Sequence, residues 1–278
     1  MGIVKTGWER EKRVHFNDIT KNYDMIRWDY PKELFGDALA YSRKTDSNKA
    51  IEIGPGTGKA TTPFLEAGYT LTAVEMSENM TEFLISKYIN SSSFSVINST
   101  FEDVELEENS YDLIYAASSF HWVDATIGCP KVQRLLKKDG AFVLFRNNAV
   151  PYEDELHYEV QKIYDEYYYS YYTRQDRPIK ISMMSYEDFF KPSEINRGFR
   201  FDSLEDYGFS DVKMKLYTTT NTYTADSYIS LLETYSDHRS LPKENRELLY
   251  IGIKEAINRH GGYQKLNCIF QLYMGRKQ

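Results

Sequence analysis

The sequence predicts an α/β fold built on a doubly wound, mostly parallel sheet. Between residues 50 and 146, short β-type runs alternate with helix-period segments, and the first run ends in the glycine-rich turn Gly54-Pro55-Gly56-Thr57-Gly58. The 278 residues, 41% apolar and 27% charged, fit one large soluble domain or a domain with an insertion.

The elements follow in order. Residues 8–40 read as polar helical segments broken at Pro31. Strands are expected at Ala50–Ile53, Thr70–Glu75, Phe94–Asn98, Tyr111–Ala117 and Ala141–Arg146. Helices fill the gaps: Lys59 to Ala67 closed by Gly68, Ser77 as N-cap to about Tyr88, and Ile127 to Lys138 stopping before Gly140. From Tyr152 to Arg174, apolar or aromatic residues at 156, 160, 163, 164, 167, 168 and 171 make one helical stripe. Turns are expected at Pro178, Pro192, Gly198 and Gly208. Beyond them come a strand at Val212–Tyr223, helices at Ala225–Tyr235 and Lys243–His260, and a last strand at Gln264–Gly275.

Composition narrows the function classes. A net charge of −7 without a Lys/Arg block argues against nucleic acid and favours a small-molecule partner. Cys129 and Cys268 stand apart from any Cys/His cluster, so neither a disulfide framework nor a metal site is expected. No apolar run approaches membrane-span length, and the start of the sequence is charged where a signal peptide is apolar, which reads as cytoplasmic with no membrane partner. Met1-Gly2-Ile3-Val4-Lys5-Thr6 matches the permissive N-myristoylation pattern, too short to carry an assignment.

The glycine turn separates nucleotide chemistries. A P-loop needs a glycine where Ile53 stands and Ser or Thr where Ala60 stands. A dinucleotide fingerprint, counted from Gly54 or from Gly56, lands on Lys59 or Thr61 rather than glycine. What fits is E-x-G-x-G-x-G, with Glu52 on the strand and Gly54, Gly56 and Gly58 in the turn. Glu75 closes the next strand 21 residues after Gly54, where an acid can accept hydrogen bonds from ribose hydroxyls.

On these motifs the sequence resembles the class I S-adenosylmethionine-dependent methyltransferases, and along most of the chain outside 151–210 their small-molecule, trans-aconitate methyltransferase-like branch. Further matches are Thr100-Phe101-Glu102-Asp103, the run from Tyr111 to Trp122, Leu135 to Ala141, Leu231 to Ser236, Leu241-Pro242 and His260-Gly261-Gly262. The resemblance implies a Rossmann-like seven-stranded sheet with an antiparallel last strand and a helical cap. It implies four segments: an N-terminal helical cap (1–40), the S-adenosylmethionine-binding core (41–150), a Tyr-rich helical lid or insertion (151–210) and a return to the core sheet (211–278). The implied cofactor residues are Tyr23, Arg27, Glu52, Gly54, Gly56, Thr57, Gly58, Glu75, Met76, Thr100, Phe101, Glu102, Ala117 and Ser118. Arg27 would pair with the cofactor carboxylate, and Met76 would pack on the adenine.

Methyl transfer from a sulfonium needs alignment, exclusion of water and sometimes removal of one proton; no metal is obligatory. At the loop after the fourth strand, Ala117-Ser118-Ser119-Phe120 stands in place of the [DN]PPY that holds a planar amino group. His121 follows as a candidate general base or as a loop-bonding histidine, with Trp122 beside it as a candidate substrate contact. Tyr164, Tyr168 and Tyr171 are read either as an aromatic lid binding substrate or as core. The functional expectation is transfer of a methyl group to a carboxylate, hydroxyl or amine of a small molecule, by a monomer or homodimer. A non-catalytic cofactor-binding protein and a protein methyltransferase stay open.

Overall fold

The structure is a computed structural model, and it describes residues 26–42, 47–152, 154–172 and 204–278. Tyr23, the myristoylation-like start and the turns expected at Pro178, Pro192 and Gly198 lie outside the described residues.

Seven strands form one sheet in the order β3-β2-β1-β4-β5-β7-β6: β1 Lys49–Ile53, β2 Thr70–Glu75, β3 Phe94–Asn98, β4 Tyr111–Ala117, β5 Leu136–Pro151, β6 Phe209–Thr224 and β7 Tyr263–Lys277. Six run parallel and the last antiparallel. Strands β1 and β4 are neighbours with Ile51 opposite Ile114, while β1 also pairs with β2, Ile53 opposite Val74. The order therefore reverses between β1 and β4, the place where open α/β sheets bind ligands beyond the carboxyl ends of their strands. Both strands are buried on both faces, as a parallel sheet requires, with the acids Glu52 and Asp112 buried among their apolar residues.

The helices are α1 Lys32–Ser42, α2 Thr61–Glu66, α3 Glu78–Lys87, α4 Ala125–Leu135, α5 Glu155–Tyr167, α6 Ala225–Leu232, α7 Ser236–Arg239 and α8 Lys243–Arg259. Four of their starts follow capping chemistry: Ser77 accepts from Met80 N, Asp124 from Thr126 N, Asp154 from His157 N and Thr224 from Ser227 N.

Two boundaries differ from expectation for identifiable reasons. Helix α4 starts and ends earlier than its apolar pattern suggests, because Asp124 caps it and Leu136 already pairs with Tyr111 in the sheet. The register then jumps to Leu113 opposite Ala141, so residues 137–140 bulge out, with Asp139 at φ 62°. Helix α2 begins at Thr61 because the three positive-φ glycines before it cannot join a helix.

The described chain forms two compact units. The core unit holds 29–42, 47–148, 204–217 and 269–278; the second unit holds 26–28, 149–152, 154–172 and 218–268. The division falls inside β5, β6 and β7. In the core unit, Ile51, Ile114, Phe120, Val132, Leu135, Phe142 and Leu144 pack with Phe209 and Tyr273 into a buried cluster. In the second unit, Leu156 and Val160 of α5 are buried, and Gly252 of α8 sits against Ile163: a Cβ there would come within 3.0 Å of the Ile163 Cγ2.

Candidate functional site

The turn after β1 is the centre of the core unit's switch point. Gly54, Gly56 and Gly58 adopt φ values of 61°, 56° and 80°, a region that costs an L side chain about 1–2 kcal/mol. Their surroundings differ. A Cβ on Gly54 would meet the Ser119 Cβ at 2.7 Å, one on Gly58 would meet the Tyr88 hydroxyl at 2.8 Å, and one on Gly56 would meet nothing within 4 Å among the described residues. Gly54 is thus glycine to let the β4 loop in, Gly58 to let α3 in, and Gly56 alone faces open space.

Glu75, at the end of β2, points back to this turn. Its Oε2 accepts from Gly56 N at 3.1 Å and its Oε1 from Ser77 N at 2.9 Å. The residue is buried, and loss of solvent raises its pKa against the lowering effect of the Ser77, Gly56 and Met76 amides. With these three amides on the carboxylate, one lone-pair site is left for a sugar hydroxyl. Met76 follows half-buried.

Glu52 is fully buried, with no solvent exposure. Its Oε2 accepts from the Thr61 hydroxyl at 2.5 Å and the Tyr115 hydroxyl at 2.9 Å, and Oε1 has no partner among the described residues. Burial pushes its pKa up to about 7, the two hydroxyls oppose the shift, and nearby Glu75 adds to it. The Glu52 carboxyl is enclosed beneath the turn, where it braces β1 against α2 and β4.

The loop after β4 closes the other side. Ser118 carries a positive φ of 56°, its N–H bonds the Phe145 carbonyl at 2.9 Å, and its Oγ accepts from the Tyr30 hydroxyl at 2.9 Å. The Tyr30 ring lies 5.5 Å from that of Phe145. Ser119 Oγ donates a short hydrogen bond to the Ile53 carbonyl, tying the two loops of the switch point together. A 3-10 turn at Phe120–Trp122 then buries Phe120 and leaves His121 and Trp122 half-buried, their rings 5.0 Å apart.

After β3, Thr100 closes its own turn by accepting from Asp103 N at 3.2 Å, and Glu102 Oε1 accepts from Asp124 N at 3.2 Å. Phe101 is a core side chain beside the buried Lys131, whose ammonium lies 5.4 Å from its ring. Thr57 is likewise buried, its side chain turned from solvent.

The remaining expected residues lie in the second unit. The Arg27 guanidinium donates to the Thr234 carbonyl at 2.9 Å and covers the Tyr235 ring at 4.5 Å. Tyr168 donates to Asp237 Oδ2 at 2.7 Å, Tyr164 pairs with His238 Nε2 at 2.8 Å, and Tyr172 donates to the Asp237 carbonyl at 2.7 Å. Tyr168 is buried with its hydroxyl committed within its own unit, whereas Tyr171 is 37% exposed. Lys87, Tyr88, Thr61 and Tyr115 were not evident as site residues in the sequence. They reach the turn through tertiary contacts that no local spacing encodes.

The family model described as a methyltransferase domain matches residues 51–144, from the glycine strand through β5. An uncharacterized methyltransferase of Schizosaccharomyces pombe is 23% identical over 240 residues, 85% of this chain and 84% of that one. Another, of Mycobacterium tuberculosis, is 28% identical over 138 residues, half of this chain and 54% of that protein. Residues 51–144 thus match a methyltransferase domain, and together the matches support a class I S-adenosylmethionine-dependent methyltransferase. Among solved structures, a protein of Anaeromyxobacter dehalogenans assigned as a type II methyltransferase superposes with a TM-score of 0.57 at 17% identity, covering 90% of this chain and 97% of its own. The phosphoethanolamine N-methyltransferase 2 of Haemonchus contortus, solved in complex with S-adenosyl-L-methionine, gives 0.53 at 13% identity, covering 99% and 60%. Both share the fold. The cofactor of this methyltransferase is S-adenosylmethionine, and the residues fit it: open space over Gly56, and a buried carboxylate at Glu75 with acceptor capacity to spare. Among the described residues no group of three or more His, Cys, Asp or Glu is placed to hold a metal, and no helix is long and apolar enough to cross a membrane.

Proposed function

We propose that this methyltransferase acts on a small molecule bearing a carboxylate, hydroxyl or amine. The observation that carries the reading is the loop after β4. Both serine hydroxyls there have protein partners, Ser118 with Tyr30 and Ser119 with Ile53, and the half-buried imidazole and indole of His121 and Trp122 stand side by side next to them. Such a wall suits a compact acceptor more than a polymer groove, and a net charge of −7 disfavours RNA.

S-adenosylmethionine supplies an electrophilic methyl group on a sulfonium that departs as a neutral thioether. The chain's own part is to hold and align. In this reading the Gly54–Gly58 backbone lies along the cofactor, Glu75 takes the ribose hydroxyls, Met76 with the Thr100–Glu102 turn borders the base, and Ala117–Ser118 lie next to the methyl group. His121 accepts the proton of a hydroxyl or amine acceptor and is not needed for a carboxylate.

Mass spectrometry of co-purifying ligand, followed by a screen of carboxylic acids, amines and phenols for S-adenosylhomocysteine release, tests the proposal. Turnover with one class supports it; tight cofactor binding with turnover only on protein, or on nothing, refutes it. With a hydroxyl or amine acceptor, His121→Ala is expected to lower kcat about 10²-fold or more while leaving the S-adenosylhomocysteine Kd unchanged. Unaltered kcat would make His121 a structural residue.

A further inference from the structure

We propose that Lys87 and Tyr88, at the carboxyl end of α3, are positioning residues that hold the glycine turn in its cofactor-accepting shape. Lys87 Nζ donates to the Thr57 carbonyl at 2.8 Å, and the Tyr88 hydroxyl donates to the Gly58 carbonyl at 3.0 Å. Two consecutive peptides of the turn are thereby pinned from one side. Because the N–H of a trans peptide points opposite its C=O, the same contacts orient the Gly58 and Lys59 amides; Gly58 N meets the Pro55 carbonyl at 2.9 Å.

Tyr88 is itself fixed. Its ring lies 4.5 Å from Phe94 on β3, its N–H bonds the Leu84 carbonyl, and its hydroxyl also pairs with Thr62 of α2 at 2.8 Å. The missing side chain of Gly58 explains how so close a contact is possible, since a Cβ there would lie 2.8 Å from the Tyr88 hydroxyl and 3.1 Å from Leu84 Cδ2. Gly58 therefore serves the clamp, and Gly56 is left for the ligand.

A turn with three positive-φ glycines is costly to order in the absence of such restraints. Ordering it before the cofactor arrives removes that cost from binding. Lys87 and Tyr88 have no place in the contacts proposed for the cofactor itself, so their effect must pass through the turn.

The test measures S-adenosylhomocysteine Kd by calorimetry, needing no methyl acceptor, together with amide hydrogen exchange over residues 54–61 of the free protein. Tyr88→Phe and Lys87→Met are each expected to weaken binding about 5- to 20-fold, in keeping with one neutral or one charge-assisted hydrogen bond, and to speed exchange at the turn. Lys87→Arg restores both readouts, because a guanidinium can reach the same carbonyl. Lys87 lies on the surface, so Lys87→Met keeps the test valid if Tyr88→Phe folds poorly. Wild-type affinity and wild-type exchange in Lys87→Met and in a folded Tyr88→Phe overturn the clamp and leave the cofactor assignment standing. Absence of binding by the wild-type protein would overturn both.

Discussion

Gly54, Gly56 and Gly58 share a backbone conformation, but they answer to different neighbours, and substitution separates them. Gly56→Ala adds a methyl with no neighbour within 4 Å among the described residues. Its expected stability cost is only the backbone strain, about 1–2 kcal/mol, whereas Gly56→Arg fills the open space and should reduce S-adenosylhomocysteine affinity at least about 100-fold. Gly54→Ala drives a Cβ to 2.7 Å from that of Ser119 and must push the β4 loop away. It should lower thermal stability more than Gly56→Ala does, by an added 1–3 kcal/mol or so for overpacking. Thermal melts and calorimetry on the three variants check the order. Equal affinity of Gly56→Arg and wild type would remove the cofactor from this turn. The three glycines were legible in the sequence as a motif, but their separate reasons were not, because those reasons reside in Ser119 and Tyr88, 65 and 30 residues away.

At the scale of elements, the strands β1 to β4 and the helix caps at Ser77 and Thr224 follow from local pattern, since period and capping are properties of short segments. What local pattern could not show is the fate of the α5 tyrosines. Six tyrosine hydroxyls between 164 and 172 demanded partners, yet Asp237 and His238 lie some 70 residues on, in a four-residue helix with little periodicity of its own. The result is a buried polar network: Asp237 Oδ2 takes Tyr168, its Oδ1 faces His238 Nδ1 at 3.2 Å, and its carbonyl takes Tyr172. Removing one donor leaves a buried carboxylate short of a partner. Tyr168→Phe is expected to cost about 1–3 kcal/mol in urea unfolding, while Tyr171→Phe, at 37% exposure, should stay within about 0.5 kcal/mol of wild type. Equal midpoints for the two variants would show that the network contributes no stability.

For the whole molecule, the net charge of −7 sets a background of mild self-repulsion, and within it one buried group gives stability a definite pH dependence. Glu52 binds its proton more tightly folded than unfolded, its pKa rising from the ordinary 4.5 to about 7 because it is cut off from water and has one oxygen without a partner among the described residues. The folded state therefore holds more protons than the unfolded state between those values, and the stability Glu52 contributes is full below about 4.5 and lost as pH rises through 7. The amount is on the order of 3 kcal/mol for a shift of this size. Glu75, also raised by burial, adds in the same direction, whereas Thr61, Tyr115 and the Lys87 charge act against the Glu52 shift. Glu52→Gln keeps an oxygen for Thr61 and Tyr115 but cannot ionise. Its urea midpoint should therefore decline less than that of wild type from pH 4.5 to 7.5, with the variant gaining on wild type as pH rises. Two curves that stay parallel across that range would mean Glu52 is ionised in the folded protein throughout, and that the enclosure beneath the turn is more polar than its contacts imply.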